Sequence, residues 1–218
     1  MNALETKDVS ASVVLRHRPV YECYKRLFDI CFALFGLFFI SPVMIVTAIA
    51  IKFDSPGPVL YKGLRTGRHG KFFYIYKFRS MVVGADKGAE TTSKNDFRVT
   101  SIGQFIRKNK LDELPQLINV IKGEMSFVGP RPELPRYTDQ YKGKELLILS
   151  VPPGITDYSS LYFSNLSELI GDEDPNTDFE AKILSEKNRL RVKYVEDRNF
   201  TSDIVLIVNT IFKVLRVK

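Results

Sequence analysis

The longest unbroken apolar stretch in the chain runs from Ile30 to Ile51, 22 residues without a charge, interrupted only by Ser41-Pro42 and Thr47. As a straight helix it would reach about 33 Å, enough to cross the hydrocarbon core of a bilayer. It is too long, and starts too far into the chain, for a cleaved signal peptide. Arg16, Arg18, Lys25 and Arg26 precede it, and Lys52, Lys62, Arg65, Arg68 and Lys71 follow it, with few acids among either group. By the positive-inside rule both ends read as cytoplasmic. Pro42 lacks an amide hydrogen and its ring clashes one turn back, so a kink is predicted at Ser41-Pro42, where the serine hydroxyl is placed to satisfy a freed carbonyl. The expectation is a re-entrant membrane helix over residues 21–53, broken at Ser41-Pro42. A straight single-pass anchor with a modest kink is the alternative.

Residues 1–20 are polar and mixed and read as a flexible N-terminal arm. Residues 54–218 read as one cytoplasmic domain. Asp54 to Pro58 is a loop by its turn residues, and Val59 to Tyr61 has the composition of a short strand. Lys71 to Met81 (KFFYIYKFRSM) starts strand-like and carries Lys77 and Arg79 at its end. Asp86 to Asn95 is polar and reads as a loop. From Ser101, apolar positions at helical spacing predict two helices around the segment Lys108 to Asp112. A further helix is predicted from about Glu133 to Tyr141, and Glu168 to Asn176 is acidic and loop-like. The apolar stripe from Asp203 to Leu215 predicts an amphipathic helix that lies on a membrane surface or caps the core. The fold class is α/β, mostly helical with a small β element.

A length of 218 residues with 44% hydrophobic content supports one core of ordinary size. The formal net charge of +7 implies anionic partners but does not choose among nucleic acid, phospholipid and nucleotide. The two cysteines, Cys23 and Cys31, do not make a disulfide framework or a metal site. His17 and His69 read as surface residues.

The sharpest local feature is Leu111 to Leu117 (LDELPQL), in which Asp112 and Glu113 are predicted to open a helix with Pro115 in its first turn. Acids there also complement the helix dipole, so the pair alone leaves a structural role open. Its surroundings favour chemistry. Arg107 lies five residues upstream, and Met125 to Glu133 (MSFVGPRPE) sets Arg131 between Pro130 and Pro132. Proline on both sides stiffens the arginine's backbone, which suits bidentate grip on a phosphate. Adjacent carboxylates do not face each other across a sugar as glycoside hydrolysis requires. Phosphoryl transfer fits better, with a carboxylate as nucleophile or as a ligand for Mg2+.

With these motifs in hand, the sequence resembles the bacterial sugar transferases, the small monotopic phosphoglycosyl transferases. The resemblance covers about Tyr24 to Leu215. It is carried by the Ser41-Pro42 break, YKFRSM at Tyr76 to Met81, LDELPQLINVIKGEMSFVGPRPE at Leu111 to Glu133, and PGIT at Pro153 to Thr156. It implies a helix that re-enters the cytoplasm at the Ser-Pro pair, Asp112 as covalent nucleophile, and magnesium at Asp112 and Glu113. It also implies phosphate handling by Arg107 and Arg131, with Lys77, Arg79 and Pro130 in the substrate-binding set. The implied partners are a nucleotide sugar, with UDP as the expected nucleotide, polyprenyl (undecaprenyl) phosphate and the lipid bilayer. A homodimer and downstream glycosyltransferases are candidate protein partners, and no nucleic acid is expected. The implied location is the cytoplasmic face of the bacterial inner membrane. After PGIT many members continue with glycine, whereas this chain has Asp157, Tyr158, Ser159 and Ser160. The rival readings are a membrane-bound nucleotide-sugar hydrolase and a basic membrane scaffold.

Overall fold

Pro19 at the first helical position, with its preset φ and no amide to satisfy, starts a 36-residue helix, α1 (Pro19–Asp54). The computed structural model describes residues 18–85, 96–164, 166–169 and 174–216. The expected arm up to residue 17, the polar segment 86–95 and part of the acidic stretch 168–176 lie outside them. α1 runs through Ser41-Pro42 as one element, so the expected break is an internal proline, not a helix end. The hydroxyl of Ser41 donates to the Phe38 carbonyl at 2.8 Å. That is the carbonyl which the missing Pro42 amide leaves without its i−4 partner.

One stripe of α1 faces the rest of the chain. Asp29, Ala33, Thr47 and Ile51 are buried along it, while Phe32, Phe35, Phe38, Phe39, Val46 and Phe53 are exposed on other faces. Ala33 and Leu37 pack with Leu117, Val120, Phe73 and Ile75, and Ile51 packs with Phe78 and Ile106. Both halves of the helix are therefore bound to the same domain.

After α1, β1 (Leu60–Thr66) and β2 (Phe72–Phe78) form an antiparallel hairpin with Tyr61 opposite Lys77 and Arg65 opposite Phe73. The first strand is longer than the three residues expected from sequence, because pairing with β2 extends it to Thr66. Next come α2 (Ser101–Lys108), a 3-10 turn at Leu111–Glu113, and α3 (Gln116–Lys122). These are the two helices the spacing predicts, but the Asp-Glu pair sits in the turn between them and not at a helix start. The helix expected from about Glu133 to Tyr141 is only α4 (Pro135–Thr138).

β3 (Ser126–Val128) and β4 (Gly154–Thr156) pair in parallel, joining the MSFV and PGIT motifs. At Gly129 and Gly154 the two backbones approach so closely that a Cβ on either would strike the other chain. The chain closes with α5 (Tyr158–Tyr162), α6 (Leu166–Leu169), α7 (Pro175–Phe179), α8 (Ser185–Asp197) and α9 (Phe200–Arg216). Leu206 of α9 joins a core with Val128, Val192, Tyr194 and Val195. Val205, Val208, Ile211, Phe212 and Leu215 stay exposed. The helix thus caps the core with one face and presents an apolar face outward.

Candidate active site

The backbone before the dyad takes a conformation that L residues rarely adopt. α2 ends at Asn109, and Lys110 enters the left-handed region at φ 57°. This bend turns the chain into the 3-10 turn that carries Asp112 and Glu113. A lysine held there costs roughly 1 kcal/mol or more, an expense that clusters at functional sites.

The two acids have different surroundings. Glu113 is gripped from two sides. Lys77, from the end of β2, lies 3.1 Å from its Oε1, and Arg131 forks onto it, with Nη1 donating to Oε2 at 3.2 Å and Nη2 to Oε1. Burial alone would raise the pKa of Glu113. Arg131 and Lys77 outweigh it and hold the carboxyl well below the ordinary range. Asp112 is only 7% exposed and takes no hydrogen bond or ion pair among the described residues. Its pKa is raised, first by burial and then by the charge of Glu113, against the pull of Lys77, Arg107 and Lys110.

Arg131 reaches this position because β3 and β4 deliver its loop. The Pro130 carbonyl accepts the Gly154 amide at 3.0 Å, and Arg131 itself donates to the Ile155 carbonyl at 3.2 Å and from its backbone amide to Asp157 Oδ2 at 3.4 Å. Asp157 also caps α5 through the Ser160 amide at 2.7 Å. The acid that follows PGIT therefore ties α5 to the arginine loop. Arg107, half-buried in the last turn of α2, is influenced electrostatically by Asp112 and Asp96.

The structure thus gathers Asp112, Glu113, Lys77, Arg107 and Arg131. Two residues of the sequence-derived set lie elsewhere. Arg79 is buried, with its guanidinium on the Ser55 carbonyl at 2.7 Å and on the Pro56 carbonyl, so it fastens the loop that leaves α1. β2 ends at Phe78, and the strand alternation that would have kept Arg79 beside Lys77 ends with it. Pro130 is buried two residues after β3 and contributes stiffness and its carbonyl, which accepts the Gly154 amide. Lys110 and Asp157 were not singled out from sequence. Only the change after PGIT gave a signal for Asp157.

Among the described residues this arrangement presents one carboxylate without a protein cation bonded to it, beside one locked carboxylate and several cations. It suits an anionic substrate whose reacting atom is attacked by, or coordinated near, Asp112. A magnesium ion fits the donor chemistry in part: no cluster of three or more potential ligands occurs among the described residues, so the protein offers no full cage. Magnesium held by one or two carboxylates, substrate phosphates and waters does not need one.

Comparison with known proteins gives the family of the chain. The bacterial sugar transferase family matches residues 20–217, and the chain belongs to that family. Among its relatives is a Bacillus subtilis protein provisionally named an undecaprenyl-phosphate N-acetylgalactosaminyl 1-phosphate transferase, 49% identical over 57% of this chain and 70% of that one. The UDP-glucose:undecaprenyl-phosphate glucose-1-phosphate transferase of Escherichia coli is 37% identical over 87% of this chain and 39% of its own length. The sugar transferase EpsL of Bacillus subtilis, named as uncharacterized, is 36% identical over 88% of this chain and 87% of its own. The chain spans well under half of several longer relatives, from 29% to 40% of their lengths.

Proposed function

We propose that this protein transfers a sugar phosphate from a UDP-sugar to undecaprenyl phosphate, with Asp112 as covalent nucleophile. The observation that carries this reading is the asymmetry of the dyad. Among the described residues Asp112 has no bonded partner but feels the charges of Lys77, Arg107 and Lys110, and Glu113 is held by Lys77 and Arg131. In the first half, an Asp112 carboxylate oxygen attacks the phosphorus that bears the sugar, and the bond from that phosphorus to the nucleotide's remaining phosphate breaks. UMP leaves with the electron pair, and the phosphosugar remains as an acyl phosphate. In the second half, an oxygen of the lipid phosphate attacks the same phosphorus and the Asp112 carboxylate departs. The product is the polyprenyl diphosphosugar. Arg131, Arg107 and Lys77 offset charge on the phosphate oxygens, and Glu113 keeps the Arg131 fork in place. Asp112 and Glu113 are the residues that would hold Mg2+, which would supply further charge neutralisation.

α1 is long and apolar enough to cross a membrane. Re-entry to the same face is supported by the anchoring of both its ends on one domain. Lys25 lies 2.6 Å from Asp203, and Arg26 donates to the Val120 and Ile121 carbonyls. At the other end Ile51 packs on Phe78 and Ile106. The outward face of α9 then rests on the same membrane surface, at the cytoplasmic side of the inner membrane.

The mechanism is tested with enzyme, UDP-sugar and Mg2+ in the absence of lipid. The expected result is one UMP per active site and an intact mass increased by one phosphosugar, both abolished in Asp112→Asn. Full turnover with lipid but no adduct without it would favour direct attack by the lipid phosphate. Chelation of divalent ions is expected to stop turnover and added Mg2+ to restore it. Topology is tested after replacing the exposed Cys23 and Cys31, with single cysteines placed before Tyr21 and near Gly67. Labelling of the two from opposite sides would rule out re-entry.

A further inference from the structure

Two residues beyond Arg131, across Pro132, the carboxylate of Glu133 is taken up by α8. It accepts the Arg191 guanidinium and lies 3.2 Å from the Lys187 ammonium. Arg191 is completely buried and Lys187 nearly so. Arg191 also donates to Asn188 Oδ1 at 3.0 Å, and the Asn188 amide donates to Glu145 Oε1 at 3.0 Å. The Glu133 carbonyl accepts the Thr66 amide at 3.0 Å, so β1 ends on the same residue. None of these groups takes part in the mechanism above.

We propose that Lys187 and Arg191 are positioning residues for Arg131: by gripping Glu133 they fix the loop that aims the phosphate-binding guanidinium. The inference rests on the reading of Arg131 as a phosphate ligand. Three features carry it. The prolines at 130 and 132 fix two φ angles, so a shift at Glu133 passes to Arg131 with little damping. The other end of the loop is already pinned at Pro130 and Asp157, which leaves Glu133 as the fastening that sets the final angle. A buried ion triad adds little net stability over well-packed apolar residues, but such residues would not hold the loop by directed bonds. A misplacement of about 1 Å in a positioning group costs on the order of 100-fold in rate.

The test uses the full chain in detergent or lipid nanodiscs and three variants. The first is the combined apolar replacement Glu133→Leu, Lys187→Met and Arg191→Met, which removes every charge of the triad at similar volume. The second is Glu133→Gln, which keeps the shape and an acceptor. The third is Arg131→Met, alone and combined with the first. Melting temperature, kcat and KM for the UDP-sugar, and the amplitude and rate of the UMP burst are measured per folded molecule. The combined replacement is expected to melt within a few degrees of the parent, while kcat/KM and the burst rate fall about 10- to 100-fold. Glu133→Gln is expected to lose less, in the same direction. In the Arg131→Met background the apolar replacement is expected to cost almost nothing further, since no guanidinium remains to be aimed. Unchanged kinetics in a folded variant, or a loss that adds in full to that of Arg131→Met, would overturn the positioning role. So would apolar and Gln variants that unfold while the kinetics of their folded fraction are normal. Unchanged kinetics in Arg131→Met alone would instead overturn the phosphate role of Arg131, and the inference with it.

Discussion

Two half-buried glutamates in this molecule are each held by a lysine and an arginine, and one of them sits in the candidate active site. Glu113 meets Lys77 at 3.1 Å and the fork of Arg131, and Glu133 meets Lys187 at 3.2 Å and Arg191. In both cases burial works against ionisation, and the paired cations hold the carboxyl well below its ordinary range. The difference lies in what surrounds them. The side chain of Arg131 is 26% exposed and that of Arg191 is 0%. Beside Glu113 stands Asp112, a carboxylate with no bonded partner among the described residues, whereas Arg191 beside Glu133 leads on to Asn188 and Glu145. An ion triad is therefore not a signature of function. A neighbouring charge left for a ligand to complete is the distinguishing feature.

The comparison breaks most visibly when each glutamate loses its charge. Glu113→Gln frees the Arg131 fork and removes a charge beside Asp112, so turnover is expected to fall about 1000-fold, roughly 4 kcal/mol in barrier height. Its melting temperature should fall less than that of the Glu133 variant below, because Lys77 and Arg131 keep partial access to solvent, 23% and 26% exposed. Glu133→Ala leaves Arg191 and Lys187 buried without their acid, and unfolding free energy is expected to drop by about 3 kcal/mol or more. Denaturant titration and steady-state kinetics on both variants check the pair. A large stability loss at Glu113 with unaltered kinetics per folded molecule would erase the distinction.

The same contrast separates what was legible in the sequence from what was not. The accessible triad lies in motifs: the dyad, the proline-flanked arginine and the basic end of KFFYIYKFRSM are all local patterns. Long uncharged runs are equally plain, and α1 was readable within a residue or two at each end. Arg79 shares a motif with Lys77 yet bonds the Ser55 and Pro56 carbonyls, and nothing local marks the end of β2 between them. The sealed triad had no local signature at all. The residues of α8, SEKNRLRVKYVED, turn Lys187, Asn188 and Arg191 inward, so the apolar stripe that announces a helix is missing. Glu133, the partner of Lys187 and Arg191, lies more than fifty residues away. The parallel pairing of β3 with β4 is also non-local, and each strand is only three residues long.

A milder change sharpens the role of the exposed arginine. Arg131→Lys keeps the charge but replaces a planar fork that bonds both oxygens of Glu113 with a single ammonium. The expected loss is 10- to 100-fold in kcat/KM for the UDP-sugar, about 1.4 to 2.7 kcal/mol, with melting temperature nearly unchanged. A drop in melting temperature without a specific kinetic defect would assign Arg131 to the fold, alongside Arg191.

The smallest expected effect is on stability, and it concerns Asp112, the acid of the dyad that takes no bonded partner among the described residues. The pKa of Asp112 is raised in the fold, chiefly by burial and then by the charge of Glu113. The folded chain therefore holds its proton to higher pH than the unfolded chain. Below the unfolded carboxylate value near 3.8 both states are neutral and the site costs nothing. As pH rises through that value the unfolded chain ionises first, the folded state binds more protons, and stability falls until Asp112 ionises in the fold as well. Above that point the penalty is constant. Asp112→Asn removes it, so this variant should melt slightly higher than the parent at neutral pH and lose that advantage near pH 4. Glu113 and its cations are common to both chains, so their own acid sensitivity largely cancels in the difference. Thermal melts of the two proteins across this range check the sign. A parent more stable than the variant at neutral pH would mean that Asp112 is held by a favourable partner in the fold, and that its carboxylate is not the free charge on which the mechanism depends.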